Sequence, residues 1–96
     1  MKIEGKKYGL EGIELKDNFT QRDLENYFKH LRELAADPGN ESVPEYSGKA
    51  VEAARRAEII KGLDGLDIGD LDPRGVLVIQ RAISRAVADA LTIDPN

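Results

Sequence analysis

The 96-residue chain has no cysteine and no tryptophan, one methionine and one histidine, His30. Without cysteine there is no disulfide framework, no thiol nucleophile and no thiolate zinc site. Long apolar runs are also missing. The longest, Val76 to Ile79, has four residues, against roughly 18 for a membrane span. The opening MKIEGKKYGLEG is basic but lacks the apolar stretch of a secretory signal. The chain is therefore expected in the cytoplasm, and the triplets Asn18-Phe19-Thr20 and Asn40-Glu41-Ser42 read as polar loop residues only.

Catalytic signatures are absent too. There is no phosphate loop, dinucleotide fingerprint or HExxH. A general base needs a nucleophile or substrate group within reach, and His30 has no cysteine or elbow serine to serve. Asp64, Asp67, Asp70 and Asp72 are the one acidic cluster. Asp70 and Asp72 match the first and third positions of a calcium loop, but Arg74 then replaces an oxygen ligand and Arg81 stands where the bidentate glutamate belongs. Aspartate at turns and helix starts accounts for the cluster. No enzyme, metal or cofactor is expected.

Charge is unevenly spread over a net of −4. Residues 1–36 carry seven basic and seven acidic groups, residues 37–73 carry four against nine, and residues 74–96 carry three against two. An acidic middle repels phosphate backbones, which makes nucleic acid an unlikely partner.

What is present predicts a single α+β domain, mostly helical, with a short N-terminal β-hairpin or small sheet packed on a three-helix body. Period-two alternation at Lys2-Ile3-Glu4 and Ile13-Glu14-Leu15 marks strands within residues 1–16. The pairing expected is 2–5 with 7–10, and a third piece at 12–16. A first helix spans 20–36, capped by Thr20 with Asp23 in the capping-box position. Its stripe is Leu24, Tyr27, Phe28, Leu31 and Leu34, and Asp37-Pro38-Gly39 ends it. Residues 38–48, with two prolines and two glycines, read as a contact loop. Tyr46 there either anchors a partner or packs back on the domain.

A second helix is expected over 49–61. Its face of Ala50, Val51, Ala53, Ala54 and Ala57 lets a neighbour approach closely but buries little apolar area per turn. An Asp/Gly-rich connector, 62–72, lies against the core through its leucines. A third helix covers 73–92, capped by Asp72 with Pro73 in its first turn. Its stripe is Val76, Ile79, Ile83, Val87 and Leu91, with Arg74, Arg81 and Arg85 mainly opposite. The basic groups read as a solvated face or a protein contact. The candidate protein-binding residues are Tyr46, Val51, Ala54, Arg55, Arg74, Arg81 and Arg85.

Three segments together carry a family resemblance. They are Lys2-Ile3-Glu4-Gly5-Lys6-Lys7-Tyr8, the Thr20-capped helix, and Leu71-Asp72-Pro73 continuing through Val76, Ile79, Ile83, Val87 and Leu91 to Asp94-Pro95-Asn96. In this arrangement the chain resembles the small tail assembly chaperones of long-tailed bacteriophages and prophages. Many members carry tryptophan near the start of the first helix, where this chain has Phe19, and members are often longer. The resemblance implies a non-enzymatic assembly factor in the host cytoplasm that coats a long helical tape measure protein and self-associates along it. The surfaces implied are the alanine-rich face of 50–60 and the stripe of 76–91, one of which must also build the core. The alternatives are a small phage or bacterial structural or adaptor protein with another partner, and a nucleic-acid-associated regulator.

Overall fold

The computed structural model describes residues 1–35 and 40–93. Three helices carry the described chain: α1 (Gln21–Leu34), α2 (Val43–Arg56) and α3 (Pro73–Ala90). A small antiparallel sheet, β1 (Glu14–Leu15) with β2 (Ile60–Lys61), packs beside them. The fold is the mostly helical α+β arrangement that the residue pattern predicts.

The start of α1 follows its sequence closely. The Thr20 hydroxyl accepts from the Asp23 N–H at 3.1 Å, and the Thr20 N–H donates to the Asp23 carboxylate at 2.9 Å. Both halves of a capping box are therefore closed. Lys16 donates to the same carboxylate at 2.8 Å. That contact, with the backbone bond second, holds the Asp23 carboxyl below its ordinary range. Leu24 and Tyr27 are buried and Leu31 and Leu34 are half-buried on the same stripe, but Phe28, expected in it, is exposed at its edge. The expected terminator Asp37-Pro38-Gly39 and the tail Asp94-Pro95-Asn96 lie outside the described residues.

The strand pairing differs from expectation. Residues 2–5 do not pair with 7–10; Lys6–Tyr8 is a single 3-10 turn instead, closed by Gly9. The turn drives Leu10 into the core and sets Tyr8 and Leu10 against the first turn of α3. A Cβ on Gly75 there would stand 2.6 Å from Leu10 Cδ1 and 3.2 Å from Tyr8 Cβ, so glycine lets the segment seat without moving those side chains. The piece expected at 12–16 becomes the central strand. Ile3 donates to the Ile13 carbonyl at 2.9 Å on one side, and Lys16 donates to the Ile59 carbonyl at 2.8 Å on the other. Glu14 stands opposite Lys61 in the register, a placement that suits opposite charges.

The second helix is displaced at both ends. It begins at Val43, not 49, because the Ser42 hydroxyl accepts from the Glu45 N–H and Pro44 falls in the first turn, where its missing donor costs nothing. It stops at Arg56, not 61. The Glu58 N–H bonds the Arg55 carbonyl and the Ile59 N–H bonds the Ala54 carbonyl, the paired bonds of a Schellman ending. Glu58 takes the left-handed conformation this ending requires, at φ 60°. The chain reverses there, and Ile59 and Ile60 enter the sheet region as buried β-branched residues and leave the helix.

The third helix starts as expected, with the Asp72 carboxylate accepting from the Arg74 N–H at 2.9 Å. Its stripe is buried from Val76 to Val87. The helix ends at Ala90, and Leu91, expected in the stripe, is 60% exposed. The α2 helix lies between α1 and α3 and packs on both.

A non-glycine residue in the left-handed region costs about 1–2 kcal/mol, offset in part by glycine's greater entropy when unfolded. Glu58→Gly is therefore expected to stabilise the protein by about 0.5–1 kcal/mol in urea unfolding. An unchanged midpoint would show that the Schellman turn carries no strain.

Candidate functional site

Because α2 starts early, its first turns form one wall of an open groove, which Leu34 of α1 also lines. The groove has a volume of about 790 Å³. Val43, Pro44, Ser47 and Gly48 come from α2, Ile68 and Leu71 from the connector, and Val76 and Leu77 from α3. Its floor is therefore largely apolar, and charged groups stand along it: Glu45, Lys49, Glu52, Arg55, Asp67 and Arg74.

The connector wall is fixed in place by polar ties. The Arg55 guanidinium donates to the Leu66 carbonyl at 2.8 Å and is ion-paired with Glu52. The Asp67 carboxylate accepts from the Gly69 N–H at 2.9 Å, starting a 3-10 turn over Ile68–Asp70. At the far end Arg74 grips the Asp72 carboxylate through Nε at 3.1 Å and a terminal nitrogen at 2.9 Å, and its guanidinium lies 5.3 Å from the centre of the Tyr8 ring. The side-chain bond to Arg74, then the backbone bond, keeps the Asp72 carboxyl below its ordinary range; the same contact raises the Arg74 guanidinium. Lys49 is ion-paired with Glu41, whose side chain is largely buried.

Two groove residues have no evident role in stability. Gly48 sits inside α2, where glycine costs about 1 kcal/mol relative to alanine. A Cβ there would meet only Ile68 Cγ2, at an ordinary 3.9 Å. Ser47 is 2% exposed, and its hydroxyl has no hydrogen-bond partner among the described residues.

The candidate residues read from sequence divide into three groups. Val51 and Ala54, expected to face a partner, are 0% exposed and belong to the core, which corrects that assignment. The alanine face is consumed by α1 and α3 because α2 lies between them. Arg55 and Arg74 do line the groove, Arg55 as a tie to the connector. Tyr46, Arg81 and Arg85 are exposed and lie outside it. Tyr46 is two residues from Gly48, about 200° around the helix. It comes close enough to Tyr27 of α1 to contribute to that phenol's pKa.

Val43, Pro44, Ser47 and Gly48 fall in the segment whose prolines and glycines predict a loop, yet they belong to α2 and line the groove. The signal was Ser42 followed by Glu45, a serine cap three residues ahead of a glutamate. Elsewhere, His30 is half-buried with its Nδ1 3.5 Å from a Glu33 carboxylate oxygen and without a hydrogen bond. It does not line the groove. Among the described residues no three His, Asp or Glu side chains are grouped to hold a metal, and no helix is long and apolar enough to cross a membrane. No family model, curated protein or solved structure matches the chain.

A buried hydroxyl without a partner costs about 1–3 kcal/mol. Ser47→Ala is expected to stabilise the isolated protein by about 1 kcal/mol in thermal or urea unfolding. A loss of stability would mean that the hydroxyl is satisfied within the fold. Burial, with a smaller contribution from Tyr46, pushes the Tyr27 phenol up to about 12, against roughly 10 in an unfolded chain. The folded state thus holds this proton more tightly. The resulting stability is complete below about pH 10 and is lost as pH rises through about 12. Tyr27→Phe should remove that alkaline component, so the stability gap between variant and wild type should change only above about pH 10.

Proposed function

We propose that this protein is a non-enzymatic binding and assembly factor that receives a segment of a partner protein in the groove between α2, the connector and α3. The observation behind this reading is an open groove with a largely apolar floor and charged groups along its walls. Concave, mainly apolar surfaces with a few placed polar groups are what helix-in-groove recognition uses. In the narrower form suggested by the tail-chaperone resemblance, the partner is a long helical tape measure protein held by many copies. In the broader form, the chain is an adaptor for a different protein.

Arg81 and Arg85 are exposed on α3 and form no ion pair among the described residues. Two arginines on one helix are a small electrostatic footprint for nucleic acid in a chain of net charge −4. Protein binding is therefore the preferred reading.

The test is affinity capture from the native host, comparing wild type with Gly48→Leu, which fills the groove. Both proteins would first be checked for equal folding by circular dichroism. Capture of one protein by wild type, its loss with Gly48→Leu and the absence of nucleic acid would support the proposal. A long helical partner in many-to-one ratio would favour the chaperone form. Equal capture by both variants, recovery of nucleic acid alone, or no partner at all would overturn it.

A further inference from the structure

We infer that the groove's occupant is a basic amphipathic helix, an apolar stripe flanked by lysine or arginine. This rests on the groove being a protein-binding site and specifies the chemistry of the partner.

The argument comes from which charges around the groove are already compensated. Every cation lining it has an internal partner: Lys49 pairs with Glu41, Arg55 with Glu52, and Arg74 with Asp72. Two lining anions differ. Glu45 on the α2 wall and Asp67 on the connector wall are in no ion pair among the described residues. Glu52 is shared by Arg55 and Arg56, and the lining carboxylates left outside any ion pair stand on both walls of an apolar floor. Asp64 and Asp70, exposed on the same connector and likewise outside any ion pair, extend this set.

An incoming segment must place apolar side chains on the floor and cations toward both walls. A helix with one apolar stripe and basic flanks does both. Gly48 presents no side chain to the groove, and a Cβ there would touch only Ile68 Cγ2 at 3.9 Å, so a helix can come closer at this point than over a larger residue. An acidic helix would bring like charges against both walls, which disfavours it.

The test uses two fluorophore-labelled model peptides with the same leucine stripe, one flanked by lysine and one by glutamate. Each is titrated by anisotropy into the full chain as wild type, Glu45→Lys and Gly48→Leu. The lysine peptide is expected to bind wild type, at least about ten-fold more tightly than the glutamate peptide, with affinity falling as salt rises. Glu45→Lys should weaken it by about ten-fold, and Gly48→Leu should abolish it while circular dichroism is unchanged.

Equal affinity for the two peptides, or no effect of Glu45→Lys, would overturn the basic-helix assignment. Binding that survives Gly48→Leu would also overturn it, by showing general attraction of a cationic peptide to an acidic protein. If neither peptide binds while host capture still yields a Gly48-dependent partner, the assignment fails and the protein-binding reading stands. If both fail, the groove is not a docking site.

Discussion

The structure depends on α2 accepting close neighbours on more than one side. Ala50, Val51, Ala53 and Ala54 of α2, and Ala57 at its C-cap, are nearly or fully buried. An alanine face contributes little apolar area of its own, so it does not anchor a core by hydrophobic burial alone. What it provides is proximity. With only methyl groups in the way, α1 and α3 bring Leu24, Tyr27, Val76, Ile79 and Ile83 onto it, and those larger side chains supply most of the buried area. The central helix acts as a spacer of small radius, and the outer helices carry the hydrophobic load.

The end of that helix fixes the remaining parts. The turn at Glu58 carries Ile59 and Ile60 back beside β1, and β1 in turn holds residues 1–3 along its other edge. Beyond β2, Gly62 at φ 94° places its backbone where a Cβ would stand 2.2 Å from the Gly12 carbonyl oxygen, so the sheet and the loop before it are locked against each other. A sheet of two short strands would not persist alone. Here its apolar face, Ile13, Leu15 and Ile60, belongs to the same buried cluster as α2 and α3. The sheet therefore reports the packing of the helices more than any strand propensity of its own.

Sequence patterning was most informative where a signal is local and steric. The caps at Thr20 and Asp72, and the stripes of the first and third helices, follow from side-chain type and spacing at 3.6 residues per turn. It was least informative where two local signals compete. Pro44 and Gly48 read as loop formers, yet proline in a first turn is compatible with helix, and one internal glycine is tolerated when flanking residues pack. Ile59 and Ile60 continue an apolar run that suits helix or strand equally, and only the long-range pairing with residues 14–15 decides between them. The pairing of residues 2–15 failed for a related reason: alternation identifies a strand but not its partner.

The same competition explains why the groove was not legible. Amphipathic stripes suggest partner-binding surfaces, but in a three-helix domain of this size they are needed for the domain's own core. The alanine face and the stripe from Val76 to Val87 are both internal. Apolar surface left for a partner must then come from positions that belong to no stripe: a helix's first turn, a connector, and the side of a helix adjoining its buried face. Val43, Pro44, Gly48, Ile68 and Leu77 are of that kind. They become neighbours only because α2 extends toward the connector and Arg55 ties that connector down. The groove is a tertiary product. Its apolar floor follows from where the elements end, and the unpaired carboxylates on its walls, Glu45 and Asp67, are those that the internal ion pairs leave over.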